Sequence, residues 1–138
     1  MTVVAAQAEG EGRQAVVLVA EPACVSAARA WLTGAANGLI HDDRRGSLEL
    51  VISEIVTNAV RHGRPGGEIL LAATPKPGFL CVQVTDEGAG FAPRPGAMAS
   101  DENGGYGLFL VERLTRRWGI TRENAQTRVW FEFDYDDA

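Results

Sequence analysis

The apolar positions of the chain change period several times, and each change marks an element. Residues 14–20, QAVVLVA, are a short Val-rich apolar run and read as a strand. Pro22 follows, in place for the first turn of a helix, and Val25, Ala28, Trp31 and Leu32 then recur at helical spacing. That helix runs to about Ala36, and Asn37-Gly38 ends it. Asp42 or Asp43 is placed to cap a second helix, SLELVISEIVTNAVRHG. In it Leu48, Ile52, Ile55 and Ala59 gather on one side, flanked by Val51 and Val56, and Gly63 stops it. Pro65-Gly66-Gly67 turns the chain into strands over 68–74 and 79–85, which the PKPG turn joins as a hairpin. Polar, Gly- and Pro-rich sequence without a period fills 86–105. A loop of that length inside a small domain is usually functional or mobile. A third helix is expected over 108–118, and strands over 120–122 and 128–134 close the chain.

This order predicts an α/β fold: a two-layer sandwich with a mixed, mostly antiparallel sheet and helices on one face. At 138 residues the chain has the size of one domain with one core. The domain is expected over 14–134, with no repeat and no linker inside it. Residues 1–13, small, polar and Gly-rich, are expected to be a disordered tail, and 135–138 a frayed end.

The net charge of −5 argues against nucleic acid or an anionic membrane as the main partner, although Arg113, Arg116 and Arg117 could form a local basic patch. Cys24 and Cys81 are far apart, follow no metal-ligand spacing and sit in apolar context, so both are expected to be buried thiols. The first residues lack a charged segment followed by an apolar one, and no run approaches the roughly 20 apolar residues of a membrane span. The expectation is a soluble cytoplasmic protein.

Three segments carry candidate chemistry. On the second helix Glu54 and Asn58 are four residues apart and stack one turn above the other. At about 100° per residue they fall at the border of the apolar face, on the seam between helix and sheet where small-molecule clefts form. An amide oxygen suits Mg2+, and a carboxylate can polarise a hydroxyl nucleophile. Taken alone, E-x-x-x-N is also the ordinary polar edge of a surface helix. Next comes Asp86 in VTDEGAG, with Gly88 and Gly90. Such an Asp can accept a hydrogen bond from an exocyclic amine while the glycines let backbone lie against a flat ring, or the segment is a turn ending a strand. Last, Gly104, Gly105 and Gly107 run into the third helix. Free backbone N–H groups and the helix dipole favour phosphate there, though the glycines match neither a Walker A nor a dinucleotide fingerprint.

The order of these three segments resembles the GHKL superfamily of ATPases and kinases, which includes gyrase, MutL and the histidine kinases. SEIVTNAVRHG resembles its N-box, VTDEGAGF its first glycine box, GGYGLFLVERL its second and RVWFEF its closing strand. Within the superfamily the chain is similar to the small anti-sigma-factor serine kinases of the SpoIIAB/RsbW type and their actinobacterial relatives, over roughly 14–134. The resemblance implies a Bergerat-type ATP-binding fold with ATP and Mg2+ as cofactors. It implies that Glu54 is the general base, that Asn58 is the Mg2+ ligand, and that Asp86 binds the adenine amino group. Gly88, Gly90, Gly104, Gly105 and Gly107 would shape the ring and phosphate contacts, with Leu108 beside them. Thr127 stands where relatives carry a Thr that supports adenine through water. His62 is either a nucleotide contact or a histidine settled at a helix end.

The implied function is an ATP- and Mg2+-dependent serine/threonine-protein kinase that regulates transcription. It would phosphorylate an anti-sigma antagonist and bind a sigma factor, with a homodimer left open. Three positions depart from the pattern: Tyr106 stands where relatives often have Arg, Gln126 where they have Gly, and 92–103 holds one basic residue, Arg94. A non-catalytic, nucleotide-dependent switch of the same fold is therefore the alternative. A third reading is a plain ATPase, or an ATPase-like part of a larger histidine kinase, which would call for a dimerisation–phosphotransfer helix carrying a His.

Overall fold

The computed structural model describes residues 3–9, 12–88 and 105–136. Six strands, β1 (Val3–Glu9), β2 (Arg13–Val19), β3 (Glu68–Lys76), β4 (Phe79–Glu87), β5 (Arg117–Glu123) and β6 (Gln126–Asp134), make one sheet in the order β1-β2-β3-β4-β6-β5. Three helices, α1 (Cys24–Ala35), α2 (Arg45–His62) and α3 (Gly105–Leu114), form the second layer.

The strands alternate, and their register stacks the apolar positions in rows. Val16 pairs with Leu71, Leu71 with Val84, Val84 with Val129 and Val129 with Ile120. These side chains, with Leu18, Ile69, Leu80, Val82, Phe131 and Phe133, meet Cys24, Ala28 and Leu32 of α1 and Leu48, Val51, Ile52 and Ile55 of α2 in one core. Removing that apolar surface from water is the main term holding helices to sheet. Among the described residues no helix is long and apolar enough to cross a membrane.

Every described pairing is antiparallel, so among the described residues the expected mixed character of the sheet is not seen. The cause lies in the connections. Two hairpins supply the β3–β4 and β5–β6 pairs, the first through Gly78 at φ +87°. Between β2 and β3 the chain makes a two-helix excursion and returns to the end of the sheet that it left. Ala20 N–H donates to Gly67 O at 2.8 Å and Gly66 N–H to Ala20 O at 3.2 Å, so β3 must run back alongside β2.

Several boundaries differ from the sequence reading. Val3–Glu9, assigned above to a disordered tail, is strand β1, paired Gln7 to Ala15 and Glu9 to Arg13. The edge of β2 offers backbone groups that this segment pairs with, although its alanines are weak strand formers. The C-terminal end is tied down at Tyr135: its hydroxyl donates to Lys76 O at 2.7 Å, its N–H to Gly78 O at 3.2 Å, and its carbonyl accepts from His41 N–H at 3.0 Å. Asp42 and Asp43 do not cap α2. They sit in a 3-10 turn, Asp42–Arg44, whose Asp43 N–H donates to His41 Nδ1 at 3.3 Å. The third helix stops at Leu114, and Trp118 lies in β5, because Arg116 N–H already donates to Glu132 O at 2.8 Å and joins the sheet. Thr115 Oγ1 also donates back to Val111 O at 2.6 Å.

Cys24 is buried, but Cys81 is half-buried, since alternation puts it on the sheet face away from the helices. Burial raises both thiols above the ordinary range. The expected basic patch is neutralised in part. Arg117 pairs with Glu132 at 2.9 Å, Arg116 with Asp134 at 3.5 Å, and Arg113 lies over the Phe109 ring.

Candidate functional site

The site grows from the C-terminal half of α2 and the ends of β4 and β6. Leu48, Val51, Ile52, Ile55 and Ala59 bury one face of α2. Asn58 lies at the border of that face and is only 4% exposed, whereas Glu54, one turn earlier, is half-buried. The helix rises 1.5 Å per residue, so the two side chains reach points about 6 Å apart along its axis. His62 closes the same helix, half-buried, and Gly63 is its C-cap.

Gly63 is a glycine for lack of space and not for its torsion, since its φ is −87°. A Cβ there would stand 2.6 Å from Ala59 O and 3.1 Å from Asp86 Oδ1. Gly88 packs against it: a Cβ on Gly88 would come within 2.9 Å of Gly63 Cα. The end of α2 and the end of β4 therefore touch backbone to backbone at these two residues.

Asp86 is the penultimate residue of β4 and points into the layer between sheet and helices. It is 5% exposed, and its Oδ1 is the one buried side-chain N or O atom among the described residues without a hydrogen-bond partner. Burial pushes its carboxyl up to about 6. A carboxylate oxygen held dry and unpartnered needs a donor from elsewhere. Thr127, 1% exposed, pairs with Asp86 across β4 and β6, and its hydroxyl donates to Gly88 O at 3.2 Å.

A cleft of about 590 Å3 opens on the outer side of the Gly63–Gly88 contact, lined by His62, Gly63, Arg64, Glu87, Gly88, Asn124, Ala125 and Gln126. Of the residues singled out from sequence, His62, Gly88 and Gln126 line it, while Asp86 and Thr127 are buried. Gly105 and Gly107 fall in the first turn of α3, and Leu108 is buried at 4% exposed, so it could meet a phosphate only through its backbone. Gly90 and Gly104 lie outside the described residues, as does the loop over 89–104.

The structure thus brings together Asp86, Gly88 and Thr127, with Asn58 and His62 on the helix that abuts them. The sequence reading missed Gly63, Arg64 and Glu87 as parts of the site. Gly63 carried only a helix-stop signal, and the Arg64–Glu87 pair is 23 residues apart in sequence, beyond any local pattern.

Comparison with known proteins places this geometry. No curated protein matches the chain by sequence. Among solved structures, the chain is similar to the RsbU and RsbW domains of Rv1364c from Mycobacterium tuberculosis, with a TM-score of 0.68 and 22% identity over 88% of this chain and 32% of that one. It is also similar to the blue-light activated histidine kinase EL346 of Erythrobacter litoralis, with a TM-score of 0.59 and 21% identity over 83% of this chain and 41% of that one. A third is the histidine kinase AdeS of Acinetobacter baumannii, with a TM-score of 0.55 and 12% identity over 88% and 68%. The chain spans about a third of the Rv1364c chain and two fifths of the EL346 chain. At these identities the likeness is one of fold. The family model of the histidine kinase-like ATPase domain matches residues 18–133, nearly the whole of the described domain, and the chain belongs to that family.

Proposed function

We propose that this chain binds ATP with Mg2+ and acts as a regulatory serine/threonine-protein kinase. Its acceptor would be a hydroxyl on an antagonist protein of the anti-sigma type, and a sigma factor would be its second partner. The observation that carries the reading is the dry, unpartnered Asp86 Oδ1 at the end of β4. An exocyclic amine of adenine would supply the missing donor, and the cleft lined by Gly63 and Gly88 beside it would take the ring.

In this reading Asn58 presents its amide oxygen at the seam. Among the described residues no group of three or more His, Cys, Asp and Glu could hold a metal. A Mg2+ would therefore take Asn58 and the nucleotide's own phosphate oxygens, and when bound it would offset the phosphate charge. Glu54 takes the proton of the acceptor hydroxyl as that oxygen bonds to the γ-phosphorus and the bond to the β-phosphate oxygen breaks. The N–H groups of the first turn of α3 would serve as donors to phosphate.

The test is transfer of labelled γ-phosphate from ATP to an antagonist captured from the native cell. Labelled Ser or Thr supports the kinase. ATP-dependent capture without label supports the non-catalytic switch. A chain whose melting temperature does not rise in millimolar ATP and Mg2+ binds no nucleotide, and both readings fall.

A further inference from the structure

Strand β4 ends in two consecutive acids with opposite fates. Alternation sends Asp86 between sheet and helices, where its Oδ1 has no partner. The next side chain, Glu87, alternates away from Asp86 and is held through one oxygen, Oε1. Glu87 Oε1 accepts from Glu68 N–H at 2.7 Å and from Arg64 Nη2–H at 3.0 Å. The backbone carbonyl of Glu87 accepts from Arg64 N–H at 2.9 Å. The hydrogen bond from Glu68, then that from Arg64, hold its carboxyl below the usual carboxylate range. The chain leaves room for this: a Cβ on Gly67 would stand 2.9 Å from Glu87 Oε1.

These bonds tie the end of β4 to the turn between α2 and β3. That turn begins at Gly63, the residue that faces Asp86 Oδ1 and packs on Gly88. We propose that Glu87 is a positioning residue for base recognition: by clamping Arg64 and Glu68 it fixes Gly63 against Asp86 and keeps the carboxylate oxygen aimed at the exocyclic amine. The inference rests on the nucleotide reading of Asp86. Glu87 acts on the base through Gly63: its Oε1 is taken up by Glu68 N–H and Arg64, at the rim of the cleft that Gly63 and Gly88 also line.

The test compares the affinities of the full chain for ATP and for inosine triphosphate, which carries a carbonyl in place of the exocyclic amine. Wild type prefers ATP. Glu87→Ala lowers that preference by about 10-fold, near the lower end of what one hydrogen bond to a charged group is worth, while affinity for inosine triphosphate stays within a few fold. Glu87→Gln keeps an oxygen for Glu68 N–H and restores most of the preference. Arg64→Ala leaves the Glu68 bond in place, so it gives a smaller fall and serves should Glu87→Ala not fold. An unchanged ATP preference in folded Glu87→Ala, even with both nucleotides bound more weakly, makes Glu87 merely structural and overturns the inference alone. An unchanged preference in Arg64→Ala does so equally where Glu87→Ala is unfolded. A wild type that binds neither nucleotide, or does not distinguish them, overturns the reading of Asp86 and this inference with it.

Discussion

Thr127 and Asp86 face each other across β4 and β6, yet the Thr127 hydroxyl donates to Gly88 O at 3.2 Å and leaves Asp86 Oδ1 without a partner. The hydroxyl thus holds the residue that packs on Gly63. Thr127→Val removes this bond at nearly constant volume. The expected cost is about 1 kcal/mol of stability, read by urea unfolding, with weaker ATP binding as Gly88 loosens. A variant as stable as wild type would show that the bond contributes nothing net.

Gly63→Ala tests the close contact directly. The added methyl would meet Ala59 O at 2.6 Å and Asp86 Oδ1 at 3.1 Å, and the first of these is backbone that cannot swing away. Overpacking of this kind costs about 1–3 kcal/mol. The melting temperature should drop and ATP-dependent stabilisation should shrink. Gly66→Ala gives a contrast: its surroundings are open, and its strain comes only from its φ of +73°.

The carboxyl of Asp86 gives a pH dependence with a definite sign. Burial lifts it to about 6 in the native state, against about 3.9 in an unfolded chain. Between those values the native state holds the proton and the unfolded state does not. The contribution is fully present below about pH 4 and is lost as pH rises through about 6. At pH 7 the ligand-free protein should therefore carry a penalty on the order of 2–3 kcal/mol from this residue. Asp86→Asn should be more stable than wild type at pH 7, lose that advantage near pH 4, and bind ATP more weakly. Denaturant unfolding at both pH values checks the first two points, and equal advantages at the two pH values would refute the burial argument.

Glu54 and Asn58 should separate catalysis from binding. Glu54→Gln keeps size and much of the hydrogen bonding but removes the base. ATP affinity should stay within a few fold while phosphoryl transfer falls on the order of 10²-fold or more. Asn58→Ala removes the proposed metal ligand from a position 4% exposed, so Mg2+-dependent ATP binding itself should weaken. Titration calorimetry with and without Mg2+, beside the label-transfer assay, reads both. Equal transfer by wild type and Glu54→Gln would mean that Glu54 is not the base.

Where the period of the apolar pattern was long and unbroken, the structure follows it. The α2 helix ends at Gly63 as the pattern requires, and the β3–β4 hairpin turns at Pro77-Gly78. Short or weakly apolar segments behaved differently. Val3–Glu9, with three alanines in seven residues, is a weak strand former by its residue types, and its pairing with β2 is what makes it a strand. Trp118 continues the apolar period of α3, but the bond from Arg116 N–H to Glu132 O takes the chain into β5 before it can continue as helix.

The sequence by itself determined the three helices and the strands β2, β3, β4 and β6, the helical face that carries Glu54 and Asn58, and the order of the motifs that marks the family, because each depends on residues a few positions apart. Only the tertiary structure decided that Gly63 and Gly88 touch, that Asp86 is left dry while Glu87 is clamped, and that Arg116 and Arg117 are spent on Asp134 and Glu132. Those facts arise where strand ends and a helix end distant in sequence meet in the packed domain. Burial and close approach are properties of that meeting, and no local pattern of residue types encodes them.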